Sequence, residues 1–122
     1  MSMTTSTRQV GNVTIVDIQG RIVLGEESAS VRDFVSGLLK DGHKQILLNL
    51  AGVDYIDSMG LGSLVGAFIT VRKQGGEMKL LNVDDKVINV MQITKLYTVF
   101  DIVNDEAAGI KSFSHSTAAT AS

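Results

Sequence analysis

Gln45-Ile46-Leu47-Leu48-Asn49-Leu50 is an almost unbroken apolar run with none of the polar alternation of a strand that keeps one wet face. A segment of this kind belongs at the centre of a sheet, and it needs other elements packed around it. The flanking sequence supplies them with a different period. Val31, Phe34, Val35, Leu38 and Leu39 recur at helical spacing from Ser28 or Ser30 until Gly42 stops the run. Leu61, Leu64, Val65, Phe68 and Ile69 do the same before Gly75-Gly76, and Met78-Lys79-Leu80-Leu81 then returns as a strand.

Upstream, segments 8–10 and 13–18 flank Gly11-Asn12 as a hairpin, and the second of them is partly apolar on both faces. Downstream, Val87, Ile88 and Met91 mark a third helix within 84–93, its positive end next to Asp84 and Asp85. Segment 99–103 reads as a last short strand, and a short helix runs from Asp105 to about Phe113. Helices crossing between consecutive strands specify an α/β fold with a mainly parallel sheet of four to five strands and about four helices. The first hairpin strand lies antiparallel at the edge. The chain is long enough for one domain with one core. Residues 1–6 read as a flexible N-terminus, 7–113 as the domain, and the small, polar 114–122 as a flexible tail.

Composition narrows the chemistry. With no cysteine, there is no disulfide, cysteine-based zinc site or thiol nucleophile. His43 and His115 lie far apart with no third ligand beside them, so neither a metal nor a cofactor is expected. A net charge of −2, without a basic stripe, gives no attraction to nucleic acid. The N-terminus lacks the apolar stretch of a secretion signal, and the most apolar region, 60–71, is too short and glycine-broken to cross a bilayer. The expected location is the cytoplasm, with no membrane partner. Gly75-Gly76 is a turn, since the Lys-Ser/Thr ending of a phosphate loop is missing.

One junction looks built for an event. Asp57-Ser58-Met59-Gly60-Leu61-Gly62 leaves the central strand and opens a helix, whose first N–H groups attract hydroxyl, carboxylate or phosphate oxygens. Ser58 is placed either to cap that helix or to accept a phosphate. Asp57 is either a turn-forming carboxylate or part of a binding face. Met59 either meets a partner or packs on the loop 20–25. The glycines at 60 and 62 are consistent with close backbone approach. No histidine lies where it would activate Ser58 as a nucleophile, so a switch is expected here and not an enzyme.

These residues resemble the STAS domain family, the bacterial anti-sigma factor antagonists. The likeness runs from about Thr7 to Phe113, on segment 13–20, on Ile46-Leu47-Leu48-Asn49-Leu50 followed by Val53-Asp54-Tyr55-Ile56-Asp57-Ser58-Met59-Gly60-Leu61-Gly62, and on Met78-Lys79-Leu80-Leu81-Asn82-Val83. It implies a STAS-like mixed sheet, Ser58 as the serine that a partner kinase phosphorylates, and Asp57 as the acidic residue beside it. The implied partner is an anti-sigma factor and serine kinase of the histidine-kinase-type ATPase fold. The unmodified antagonist binds that kinase and frees a sigma factor, phosphorylation weakens the complex, and a phosphatase restores it. The implied partner face comprises Gly20, Arg21, Ile22 and Val23 with Asp57, Ser58, Met59, Gly60 and Leu61, on a monomer or weak dimer. The alternative is a phosphorylation-independent interaction module or stressosome-like scaffold that uses the same face.

Overall fold

A computed structural model describes residues 4–22 and 26–113, with the backbone alone for 26–30. Nine regular elements follow one another: β1 (Thr4–Val10), β2 (Val13–Ile22), α1 (Glu26–Lys40), β3 (Gln45–Ile56), α2 (Ser58–Lys73), β4 (Glu77–Leu81), α3 (Asp85–Ile93), β5 (Ile102–Val103) and α4 (Glu106–Lys111), with a 3-10 turn at Tyr97–Val99 before β5. The five strands lie in sequence order, β1-β2-β3-β4-β5. Only the β1/β2 pair is antiparallel.

The strand order decides where the helices go. Parallel crossovers are right-handed, so a sheet that grows in one direction collects all its crossover helices on one face. The main core matches this layout. Val16, Ile18, Ile46, Leu48, Leu50 and Leu80 of the sheet pack against Val31, Val35 and Leu39 of α1, Leu61, Leu64, Ala67 and Val71 of α2, and Val87 and Met91 of α3. The opposite face carries a smaller cluster of Val13, Ile15, Leu47, Leu81 and Phe113, with Val103 and Ile110 beside it. Lys79 stays on that face without an orphaned charge. It is buried, donates to the Ser112 carbonyl at 3.0 Å, and stands 3.4 Å from Asp101 and 5.2 Å from the centre of the Phe113 ring.

The α/β class, the mainly parallel sheet and the central position of 46–50 are as the sequence implies, while several boundaries move. β1 starts at Thr4, so Thr4, Thr5 and Ser6, assigned by the sequence to the N-terminal lead, are paired with Gln19, Ile18 and Asp17. Backbone pairing holds them, and every β1 residue is exposed, so hydrophobic pattern carries no trace of it. β3 runs on to Ile56, six residues past Leu50. Ile69 lies off the buried stripe of α2 at 47% exposure, because the stripe follows 61, 64, 67 and 71. β5 shrinks to two residues, held to β4 by Leu80 N–H to the Asp101 carbonyl and Asn82 N–H to that of Val103. The tail 114–122 lies outside the described residues.

Candidate functional site

The site is made where β2 and β3 outrun the rest of the sheet. β4 pairs with β3 only from Gln45 to Asn49, whereas β2 stays with β3 as far as Ile22 opposite Ile56. Register shifts between Asp17 and Gln19 and between Gly20 and Arg21 bend this two-stranded extension. Gly20 accommodates the second bend at φ 111°, a conformation that other residues rarely adopt. The extension keeps Ile22, Val53 and Ile56 in the core and leaves Arg21, Asp54 and Tyr55 exposed.

Helix α2 begins on this extension, and Asp57, not Ser58, caps it. Asp57 is extended at φ −97° and ψ 175°, and its Oδ1 accepts the Gly60 N–H at 2.6 Å. The Asp57 backbone N–H donates to the Ile22 carbonyl at 3.2 Å, and its own carbonyl accepts Leu61 N–H at 2.9 Å. Ser58 therefore becomes the first helical residue. Its hydroxyl is not required as the cap, and its N–H belongs to the free amides of a helix start.

Gly60 is what lets the helix seat this low. A Cβ there would run into the Ile22 carbonyl, with the carbonyl carbon 2.8 Å and Ile22 Cγ2 3.1 Å away. The same glycine therefore brings the end of β2 against the first turn of α2, joining the two segments expected to form one face. Gly62 has no such role, since a Cβ at that position meets nothing within 4 Å. It lies one turn after Ser58 and leaves the surface beside the hydroxyl bare.

The expected face divides by depth. Ser58, Met59 and Arg21 are exposed, Met59 at 59%. Gly20 and Asp57 are half-buried. Ile22, Gly60 and Leu61 are buried, so they shape the face from beneath and do not offer side chains to a partner. Val23 falls outside the described residues. Tyr55, part of the motif but not of the expected face, lies beside it: it is 43% exposed, and the Arg21 guanidinium carbon sits 4.9 Å from its ring centre. A large aromatic between Asp54 and Ile56, just before the helix start, was the available signal.

Such a face suits recognition better than chemistry. It offers a hydroxyl at a helix start, a thioether, a stacked aromatic–guanidinium pair and nearby carboxylates. Among the described residues no group of three or more potential metal ligands occurs, and no helix is long and apolar enough to cross a membrane.

The STAS domain family profile matches residues 4–109. The anti-sigma-B factor antagonist of Bacillus subtilis is 32% identical over 111 residues, covering 91% of this chain and all of that protein. An anti-sigma factor antagonist from Mycobacterium paratuberculosis superposes with a TM-score of 0.76 at 16% identity, over 91% of this chain and 93% of the other. The Bacillus cell fate determinant SpoIIAA in its phosphorylated form gives 0.64 at 19%, over 86% of this chain and 96% of the other. These last two likenesses concern the fold.

Proposed function

Because the chain belongs to the STAS domain family, we propose that it is an anti-sigma factor antagonist: it binds an anti-sigma factor with serine kinase activity, thereby releasing a sigma factor, and phosphorylation of Ser58 turns it off. The name of the Bacillus subtilis relative supports the first half of this reading. The observation that carries the second half is the division of labour at the helix start. Asp57 holds the cap, so the exposed Ser58 hydroxyl is available to a kinase at no cost to the helix.

A phosphate on Ser58 adds about −1.5 to −2 charges and three acceptor oxygens. The free amides and the helix dipole offset part of that charge. With that offset the fold tolerates the group, while the neighbouring carboxylates of Asp54 and Asp57 oppose it and the surface turns strongly negative. A partner docked on Met59, Tyr55 and Arg21 meets that charge at a contact being stripped of water, where mismatched charge costs several kcal/mol, a loss on the order of 100-fold or more in affinity. A phosphatase reverses the change.

The test is to incubate the protein with the candidate kinase and ATP, locate the phosphate by mass spectrometry, and measure binding by calorimetry. Ser58 is expected to carry it, Ser58→Ala to bind but escape inactivation, and Ser58→Asp to bind weakly. Phosphate confined to Ser63 or Thr70 would overturn the mechanism. Exposure of Met59 and Tyr55 supports the second reading, a constitutive interaction or scaffold module, because their apolar area serves binding without phosphate. Equal affinity of Ser58→Ala and Ser58→Asp would select it.

A further inference from the structure

The two edges of the sheet are unlike. β5, at one side, is two residues long, and shortness is one way that proteins close an edge to further pairing. β1, at the other, runs for seven residues, Thr4-Thr5-Ser6-Thr7-Arg8-Gln9-Val10, and every one of them is exposed. It holds no proline and no lysine, and its register with β2 passes without a bulge from Thr4 opposite Gln19 to Val10 opposite Val13. Its one charge, Arg8, is drawn over the sheet by Asp17 at 2.7 Å and Glu106 at 2.9 Å. Among the described residues, nothing that usually blocks the addition of a strand guards this edge.

The hairpin fixes which backbone groups face outward. Its two-residue turn, Gly11-Asn12, closes on a hydrogen-bonded pair, Val10 with Val13. Bonded and non-bonded pairs alternate from there, so Arg8, Ser6 and Thr4 also turn their N–H and carbonyl groups to β2. Thr5, Thr7 and Gln9 turn theirs away from it.

We propose that this edge pairs with the same edge of a second copy, antiparallel about a two-fold axis at Thr7. In that register Thr7 faces the partner's Thr7 and Thr5 faces the partner's Gln9, so all the outward groups of β1 are bonded at once, and a Thr–Thr pair sits at the centre. Arg8 meets the hydroxyl of the partner's Ser6. The neighbouring registers are worse. A shift by one residue sets side chains of opposite faces together. A shift by two toward the hairpin places Arg8 against the partner's Arg8, and the reverse shift leaves Gln9 with no residue of β1 across from it. The product is one continuous sheet made from two five-stranded ones, and the edges that remain are the short β5 strands, so assembly stops at the dimer. A single ladder of this length buries less than a standard interface, which makes the dimer weak. The axis keeps the helices of both copies on one side and sends the two β2–β3 extensions to opposite ends, so each copy retains an open Ser58 face. The pairing holds whether or not Ser58 is a switch.

The experiment is sedimentation velocity on the full chain from about 10 μM to about 1 mM, with ¹H–¹⁵N NMR spectra over the same range. The sedimentation coefficient is expected to rise with concentration to the value of a dimer and no further, with shifts centred on the Thr5, Thr7 and Gln9 amides. Thr7→Lys and Thr7→Glu, at an exposed site that leaves the bonds to β2 in place, each set like charges face to face and should weaken self-association about tenfold or more. An equal mixture of the two variants should associate more tightly than either alone, which a defect in folding would not produce. A chain monomeric throughout, its edge left for a strand of another protein, overturns the proposal. So do growth beyond the dimer, self-association indifferent to both variants, and a mixture no tighter than its components.

Discussion

The two halves of β3 do opposite work with the same backbone. Residues 45–50 are buried except for a half-exposed Asn49, residues 46–49 among them are paired on both sides, and they hold the sheet together. Residues 51–56 have β2 alone for a neighbour, keep only Val53 and Ile56 inside, and turn the remaining side chains outward. A strand flanked on both sides has little freedom to vary its surface, because each residue meets a neighbouring strand or a covering helix. One flanked on a single side can bend at bulges and display polar and aromatic groups while still anchored in the core. The proposed recognition face is built on the half that carries less of the fold.

Substitutions in the two halves should therefore separate stability from binding. The largest effect is expected in the first half: Leu48→Ala empties a site with 0% exposure and should cost about 2–5 kcal/mol in urea unfolding, with the face itself unaltered. A cost below 1 kcal/mol would break the contrast. Next comes the joint between α2 and the extension. Gly60→Ala forces a methyl against the Ile22 carbonyl and should cost about 1–3 kcal/mol. Unlike Leu48→Ala, it should also weaken partner binding measured at a temperature where both variants are folded.

A smaller effect belongs to the charged cluster on the first-half side. Asp17 bonds to Arg8 at 2.7 Å and accepts from Asn49 at 2.8 Å, and Arg8 chiefly holds the carboxyl below its ordinary 3.8. A lowered folded value means the stabilisation is fully present above 3.8 and disappears as the pH falls through the folded value. Asp17→Asn should lose no more than about 1 kcal/mol at neutral pH, since the pair is partly in water, and the gap to the wild type should close in acid. An unchanging gap would show that the loss has nothing to do with ionisation.

Tyr55→Ala in the second half should cost about 0.5–1 kcal/mol through the lost stacking on Arg21, together with a larger loss of partner affinity. Ser58→Asp should have the smallest effect on stability, within about 0.5 kcal/mol, because the residue is exposed. If it unfolds the protein, Ser58 is structural after all and the contrast between the halves fails.

Legibility in the sequence followed the same division. The run 45–50 and the helix stripes around Val31, Leu61 and Val87 could be read because burial imposes a period, and the Asp57-Ser58 junction because its residue types are those of a helix start. Which of the two caps the helix could not be read. Both are favourable cap residues, and the choice depends on how low Gly60 lets the helix sit on Ile22. The extension to Ile56 was hidden because a strand with one partner and two bulges loses its alternation.

The contact between Arg8 and Glu106, at 2.9 Å, spans 98 positions of sequence. Phe113 packing on Val13 and Ile15 joins the same two regions of the chain. Each of the strands β2 to β5 lies beside its predecessor in the chain, so the helical face can condense stepwise from comparatively short loops. The opposite face cannot close until α4 arrives, because Ile110 and Phe113 cover a floor that includes Val13 and Ile15. On the ribosome, the first strands therefore emerge and pair with that side still open to water, and they stay so until the segment 106–113 has been made.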